Sequence, residues 1–187
     1  MAGDEAEALL GELERVRSYL AWKCGGLDAA PLNMRLEPSK ITLGGLLKHL
    51  ALVEDSHFSR LLLAQPAGAP WDSVDWDADP DWEWHTAADD TPEQLIALWE
   101  EAVERSRKVV SEALERGGLD QLGRYVGRNG ASPYPWAILF RVAQITFQSS
   151  PKVRFRNATL VSETASIAAA GRRLTASATV SSPRSPR

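Results

Sequence analysis

One cysteine, Cys24, in 187 residues has no partner within the chain, so neither a disulfide framework nor a cysteine-built zinc module can organise this fold. Long apolar runs are also missing, and none approaches the ~20 residues that a membrane span requires. The opening Met-Ala-Gly-Asp-Glu-Ala-Glu is acidic where a secretory leader would be basic and then apolar. The expectation is a cytoplasmic protein with no membrane partner. No Gly-rich phosphate loop, Gly-x-Ser-x-Gly elbow or Cys-x-x-Cys pair occurs, which removes the corresponding nucleotide, hydrolase and dithiol classes. Histidine is scarce, with only His49, His57 and His85.

Acid is nearly absent from one end. Residues 1–130 hold 24 Asp/Glu against 13 Lys/Arg, whereas residues 131–187 hold Glu163 alone against 8 Lys/Arg. The net charge of −4 therefore averages two segments of opposite sign. Lys152, Arg154 and Arg156 alternate with Val153 and Phe155, but scattered basic residues without a recognisable module do not make a nucleic-acid site. From Thr175 to Arg187 the serine and proline content points to disorder.

What the chain does have is helical periodicity. Leu9, Leu10, Leu13, Val16, Tyr19 and Leu20 share one face of a helix over 4–23, with Glu14, Arg15 and Arg17 elsewhere and Gly25-Gly26 as its stop. After a connector containing Pro31 and Pro38, Thr42 is placed to cap a second helix running to Leu63. Its apolar positions are 43, 46, 47, 50, 53, 58, 61 and 62. Asp90-Thr91-Pro92-Glu93-Gln94 opens a third helix, with Thr91 as N-cap, Pro92 in the first position and Gln94 closing a capping box. That helix is expected to end near Arg116, ahead of Gly117-Gly118. Ile138, Leu139, Val142, Ile145 and Thr146 suggest a fourth helix, although β-branched content leaves a strand open there.

Between the second and third helices, Trp71, Trp76, Trp82 and Trp84 are interleaved with Asp72, Asp75, Asp77, Asp79, Asp81 and Glu83. We read this stretch as an ordered crossover whose rings pack on the helices while its carboxylates face water. Carboxylates at this density argue against a nucleic-acid partner. Three long helices, a fourth and one long crossover predict an all-α four-helix bundle over 1–148, followed by a basic, mostly disordered tail over 149–187.

His49 borders the apolar stripe of the second helix and is the candidate metal ligand. A lone histidine on an apolar face more often bonds a backbone carbonyl, and His57 does not strengthen the case. Eight helical residues separate the two rings by about 12 Å and about 80°, whereas two imidazoles on one ion must each lie about 2 Å from it. His57 is expected to pack near the bundle end and His85 to lie on the surface. Glu54 reads as a solvated helix carboxylate, and Cys24, at a helix C-terminus, as a poor nucleophile.

Leu20-Ala21-Trp22-Lys23, Thr42-Leu43 followed by Leu47-Lys48-His49-Leu50, Asp81-Trp82-Glu83-Trp84 and Asp89-Asp90-Thr91-Pro92-Glu93 resemble the DinB-like superfamily. More narrowly, they resemble its actinobacterial branch related to mycothiol-dependent enzymes. The resemblance covers roughly residues 5–130. It implies a four-helix bundle holding a divalent metal of the zinc or nickel/iron class on three histidines, one of which matches His49. It also implies a thiol transferase or isomerase with mycothiol as co-substrate, acting on a small-molecule substrate.

The sequence departs from that pattern in one place. The other two histidines belong four residues apart on the fourth helix, and here nothing after His85 is a histidine. Either this copy has lost its metal, or the reading frame shifted near residues 124–150, which the charge split favours and resequencing of the gene would decide. The competing class is a non-enzymatic bundle, with a homodimer as one form open to it, that binds a small apolar ligand or a protein partner.

Overall fold

The computed structural model describes residues 2–35 and 41–126, and its long elements are all helices. Helix α1 spans Ala2–Cys24, α2 Ala29–Leu32, α3 Leu43–Glu54, α4 Trp82–His85 and α5 Pro92–Gly117. The all-α expectation holds. The fourth long helix, the tail and the proposed frame change lie outside the described residues.

Local chemistry sets the boundaries. The Thr42 hydroxyl accepts from the Gly45 amide at 2.9 Å and starts α3. Thr91 and Gln94 form the reciprocal capping box, with the Gln94 amide donating to Thr91 at 3.3 Å and the Thr91 amide to Gln94 at 2.8 Å. Helix α1 stops at a glycine pair in which Gly26 takes φ +71°, as expected of that position.

The second helix is not one continuous α-helix. Beyond Glu54 the chain winds more widely, as a π-helix over Asp55–Leu62. The wide turn explains the five-residue gap from Val53 to Phe58, since i and i+5 come onto one face there and both side chains are buried. It also brings Val53, Glu54 and Asp55 indoors in succession. The wide helix ends on Ala64 at φ +55°, with the Gln65 amide donating back to the Ser59 carbonyl at 3.1 Å.

The core is in two parts. One apolar cluster gathers Leu20 of α1, Leu47, Leu50 and Ala51 of α3, and Trp99, Ala102 and Val103 of α5, together with Trp71. The other gathers Leu13, Phe58, Leu62, Val110 and Ala113. Sequence order along each helix shows that α3 and α5 run parallel and α1 runs against both. Parallel neighbours need a long return, and residues 63–91 provide it.

Between the clusters lies a polar layer. Arg17 donates to Glu54 through Nε at 2.9 Å and Nη2 at 2.6 Å, and its Nη2 also reaches the Ser106 hydroxyl at 2.6 Å. Beside them Asp55 accepts from Trp71 Nε1 at 2.9 Å and from the Arg105 guanidinium twice at 3.0 Å. Glu54 and Arg17 are each 2% exposed, so Glu54 is not the solvated carboxylate the sequence suggests. It is buried because α1 brings a guanidinium to it, and Arg17 accordingly belongs to the inner face of α1.

Candidate functional site

His49 lies nearly two turns inside α3, under the short helix α4. Its Nδ1 is 3.0 Å from Glu83 Oε1, and its ring stacks on Trp84 with centroids 4.6 Å apart and planes 27° apart. Both side chains of the polar pair are largely buried, 14% exposed for His49 and 5% for Glu83. Glu83 is thus a correction to the reading of the crossover. Asp72, Asp75 and Asp77 are exposed as expected, but Glu83 turns inward because the imidazole offers it a partner.

Two glycines make room for this arrangement. A Cβ on Gly45 would stand 3.0 Å from Cε3 of Trp84, so the indole can lie on α3 only where that side chain is missing. At Gly44 a Cβ would meet Leu95 at 3.2 Å and the Leu32 carbonyl at 3.4 Å, which lets α5 and α2 close on the start of α3. Adjacent glycines in a helix cost stability relative to alanine. Their presence one turn before His49 is the sequence signal that a ring packs there.

Lys48, beside His49, fastens the far end of the crossover. Its buried ammonium donates to Thr86 Oγ1 at 2.9 Å, pairs with Asp90 and sits 4.4 Å from the centroid of the Trp82 ring. Trp71 is buried, while Trp76, Trp82 and Trp84 pack on the first cluster, as the crossover reading expects.

Several buried polar atoms have no hydrogen-bond partner among the described residues: His49 Nε2, Glu83 Oε2, Trp84 Nε1, Trp99 Nε1 and Asn33 Oδ1. Buried polar atoms are normally satisfied, and three of these belong to His49 and the two residues that hold its ring, which marks a place built to receive something.

The remaining candidates fall elsewhere. His57 Nδ1 is 2.8 Å from the Val53 carbonyl, the carbonyl-bonded role considered for a helix-face histidine. His85 is exposed and bonds Asp79 at 3.0 Å. Burial pushes the Cys24 thiol up to about 12, so it carries no thiolate at neutral pH.

Burial lowers the His57 pKa from its usual 6.5, with the Val53 bond opposing the shift. The unfolded chain therefore binds the extra proton first. Stability from neutral His57 is complete above about pH 6.5 and is lost as pH falls through the lower folded value. Denaturant midpoints measured from pH 7 to pH 5 are expected to fall more steeply in the native protein than in His57→Gln; equal slopes would refute this.

Parallel helices closed by an aromatic crossover over a carboxylate-held imidazole define a helical-bundle protein with a histidine-centred interior site. The match to known families is specific: a family model described as mycothiol-S-transferase covers residues 8–144. The chain belongs to that family, a DinB-like group of metalloenzymes. No curated protein and no solved structure matches it.

The family implies a divalent metal, and the residues can be tested for it. Catalytic zinc-type centres take three protein ligands. His49 Nε2 is suitably placed for one of them. Among the described residues no three His, Cys, Asp or Glu side chains gather around a common point. The residues outside them add no histidine or cysteine and two acids, Glu37 and Glu163. The described residues do not by themselves fit a three-ligand centre.

Proposed function

We propose that this protein works on small-molecule thiol conjugates as a mycothiol-dependent S-transferase-type bundle, with His49 Nε2 at its centre and the metal tripod reduced to that one leg. The observation that carries the reading is the partnerless Nε2 of a buried imidazole whose other nitrogen is held by Glu83. Membership of the family supplies the substrate class. No helix among the described residues is long and apolar enough to cross a membrane.

The chain's own residues can do three things at this site. Glu83 and Trp84 fix the ring in position and in plane. The Trp-lined crossover keeps water from its inner edge, and Nε2 can hold a proton at a sulfur placed against it. A reduced tripod favours binding of the thiol conjugate over its rapid turnover.

Metal analysis and calorimetry test this together. Dialysed protein is expected to carry well under one divalent ion per chain, and to bind a mycothiol conjugate with an affinity that falls about 10-fold or more in His49→Ala. One tightly held ion per chain that disappears in His49→Ala would overturn the reduced tripod. Binding unchanged by the substitution would overturn His49 as the centre.

A further inference from the structure

We infer that the cleft between the wide helix and the start of the crossover is a second binding site, for a small organic anion: an aromatic body held in the cleft and a carboxylate held on Arg60. The inference does not depend on what His49 does, since His49, Glu83 and Trp84 are not among the residues lining this cleft.

The cleft has a volume of about 620 Å³, inside the range of roughly 300–1,000 Å³ that small-molecule sites occupy. Leu52, Val74 and Trp76 give it apolar walls, and Ser56 and Arg60 add polar groups. Leu52, Ser56 and Arg60 recur every fourth residue, close to one turn in either winding, so they form one ridge along α3 and its wide continuation. The facing wall is tied in place. Trp76 Nε1 donates to the Trp71 carbonyl at 3.2 Å, and its ring meets Trp82 edge-on with centroids 6.4 Å apart. Tyr125, at the Arg60 end, is fixed through its amide to the Leu61 carbonyl at 3.2 Å.

Arg60 sets the charge of the guest. The other arginines of the described helices, Arg15, Arg17, Arg105, Arg107 and Arg116, each pair with a carboxylate. Arg60 is exposed, pairs with no carboxylate among the described residues, and lies over the Tyr125 ring instead, 5.7 Å from its centroid. Stacking takes up the flat face of a guanidinium and leaves its N–H edge for the two oxygens of a carboxylate. Asp72, the acid among the lining residues, is already engaged, with its Oδ2 accepting from the Gly68 amide at 3.0 Å. A neutral guest would leave the guanidinium unmatched and a cation would be repelled by it. An aromatic carboxylate suits both the walls and the charge.

Calorimetry of the full-length protein with 2-naphthoate as probe tests this. Saturable 1:1 binding is expected, weakened about 10-fold or more in Arg60→Gln, which removes the charge-assisted contact. Ser56→Asp, which sets a competing carboxylate in the cleft, should abolish it. The neutral analogue 2-naphthalenemethanol should bind the native protein about 10-fold more weakly than the acid, a comparison that needs no variant. His49→Ala should bind naphthoate as the native protein does, and a loss there would give the probe to the imidazole site and overturn the inference. No saturable binding to the native chain at up to about 1 mM probe also overturns it, whether another stretch of this chain or a second copy covers the cleft. So does naphthoate binding that Arg60→Gln leaves unchanged, or an alcohol that binds as well as the acid.

Discussion

Arg17→Ala is expected to cost about 3–5 kcal/mol, the range for removing one partner of a buried ion pair. The substitution leaves the Glu54 carboxylate, 2% exposed, without its two guanidinium bonds, and strips Ser106 of the same donor. For a domain of this size that corresponds to a drop in Tm of about 10–20 °C. Chemical denaturation of Arg17→Ala, Glu54→Ala and the double variant would measure it. The double variant should be less damaged than the sum of the two singles, because the second substitution removes the charge that the first leaves bare. A loss below about 1 kcal/mol in Arg17→Ala would show that the pair is open to water and that the polar layer is not sealed.

Trp71→Ala should cost a similar amount, about 3–5 kcal/mol, by a different route. Its indole is 2% exposed and fills the gap between the crossover and α3, so truncation leaves a cavity in the first cluster. It also removes the Nε1 donor from Asp55, which then relies on Arg105 alone. Trp71→Phe separates the two contributions, since most of the volume returns and the donor does not. We expect about 1–3 kcal/mol for that variant, the cost of a buried acceptor left short of a partner. If Phe and Ala cost the same, the hydrogen bond and not the volume holds the crossover down.

The features legible in the sequence are those whose causes lie within a few residues of each other. Thr42 and Thr91 cap their helices because each hydroxyl meets an amide three residues on, and both are visible as local patterns. Glycine stops and apolar stripes belong to the same kind. Arg17, Glu54 and Glu83 read as solvated in the sequence because a charged residue taken alone is most cheaply placed in water. The partners that reverse this lie far along the chain: 37 residues separate Arg17 from Glu54, and 34 separate His49 from Glu83. Ser106, buried on α5 between Val103 and Val110, has a similar cause, since it serves there as an acceptor for Arg17. The wide turn after Glu54 did leave a trace, in the five-residue interval from Val53 to Phe58. His49 is legible from its place beside the stripe, while the Gly44-Gly45 pair takes its meaning only from Trp84, far along the chain.

The polar stratum between the two apolar clusters also governs which misassembled bundles can persist. Sliding α1 by one turn, about 5.4 Å, would preserve much of its greasy contact, because leucines recur at that interval. Such a slide would drive the Arg17 guanidinium among leucines and strand the Glu54 carboxylate without a counter-charge. Each shifted isomer is therefore penalised electrostatically even where its hydrophobic burial is nearly as good. An all-aliphatic version of that stratum would be tougher against heat yet free to ratchet, and the imidazole under α4 would lose its fixed address.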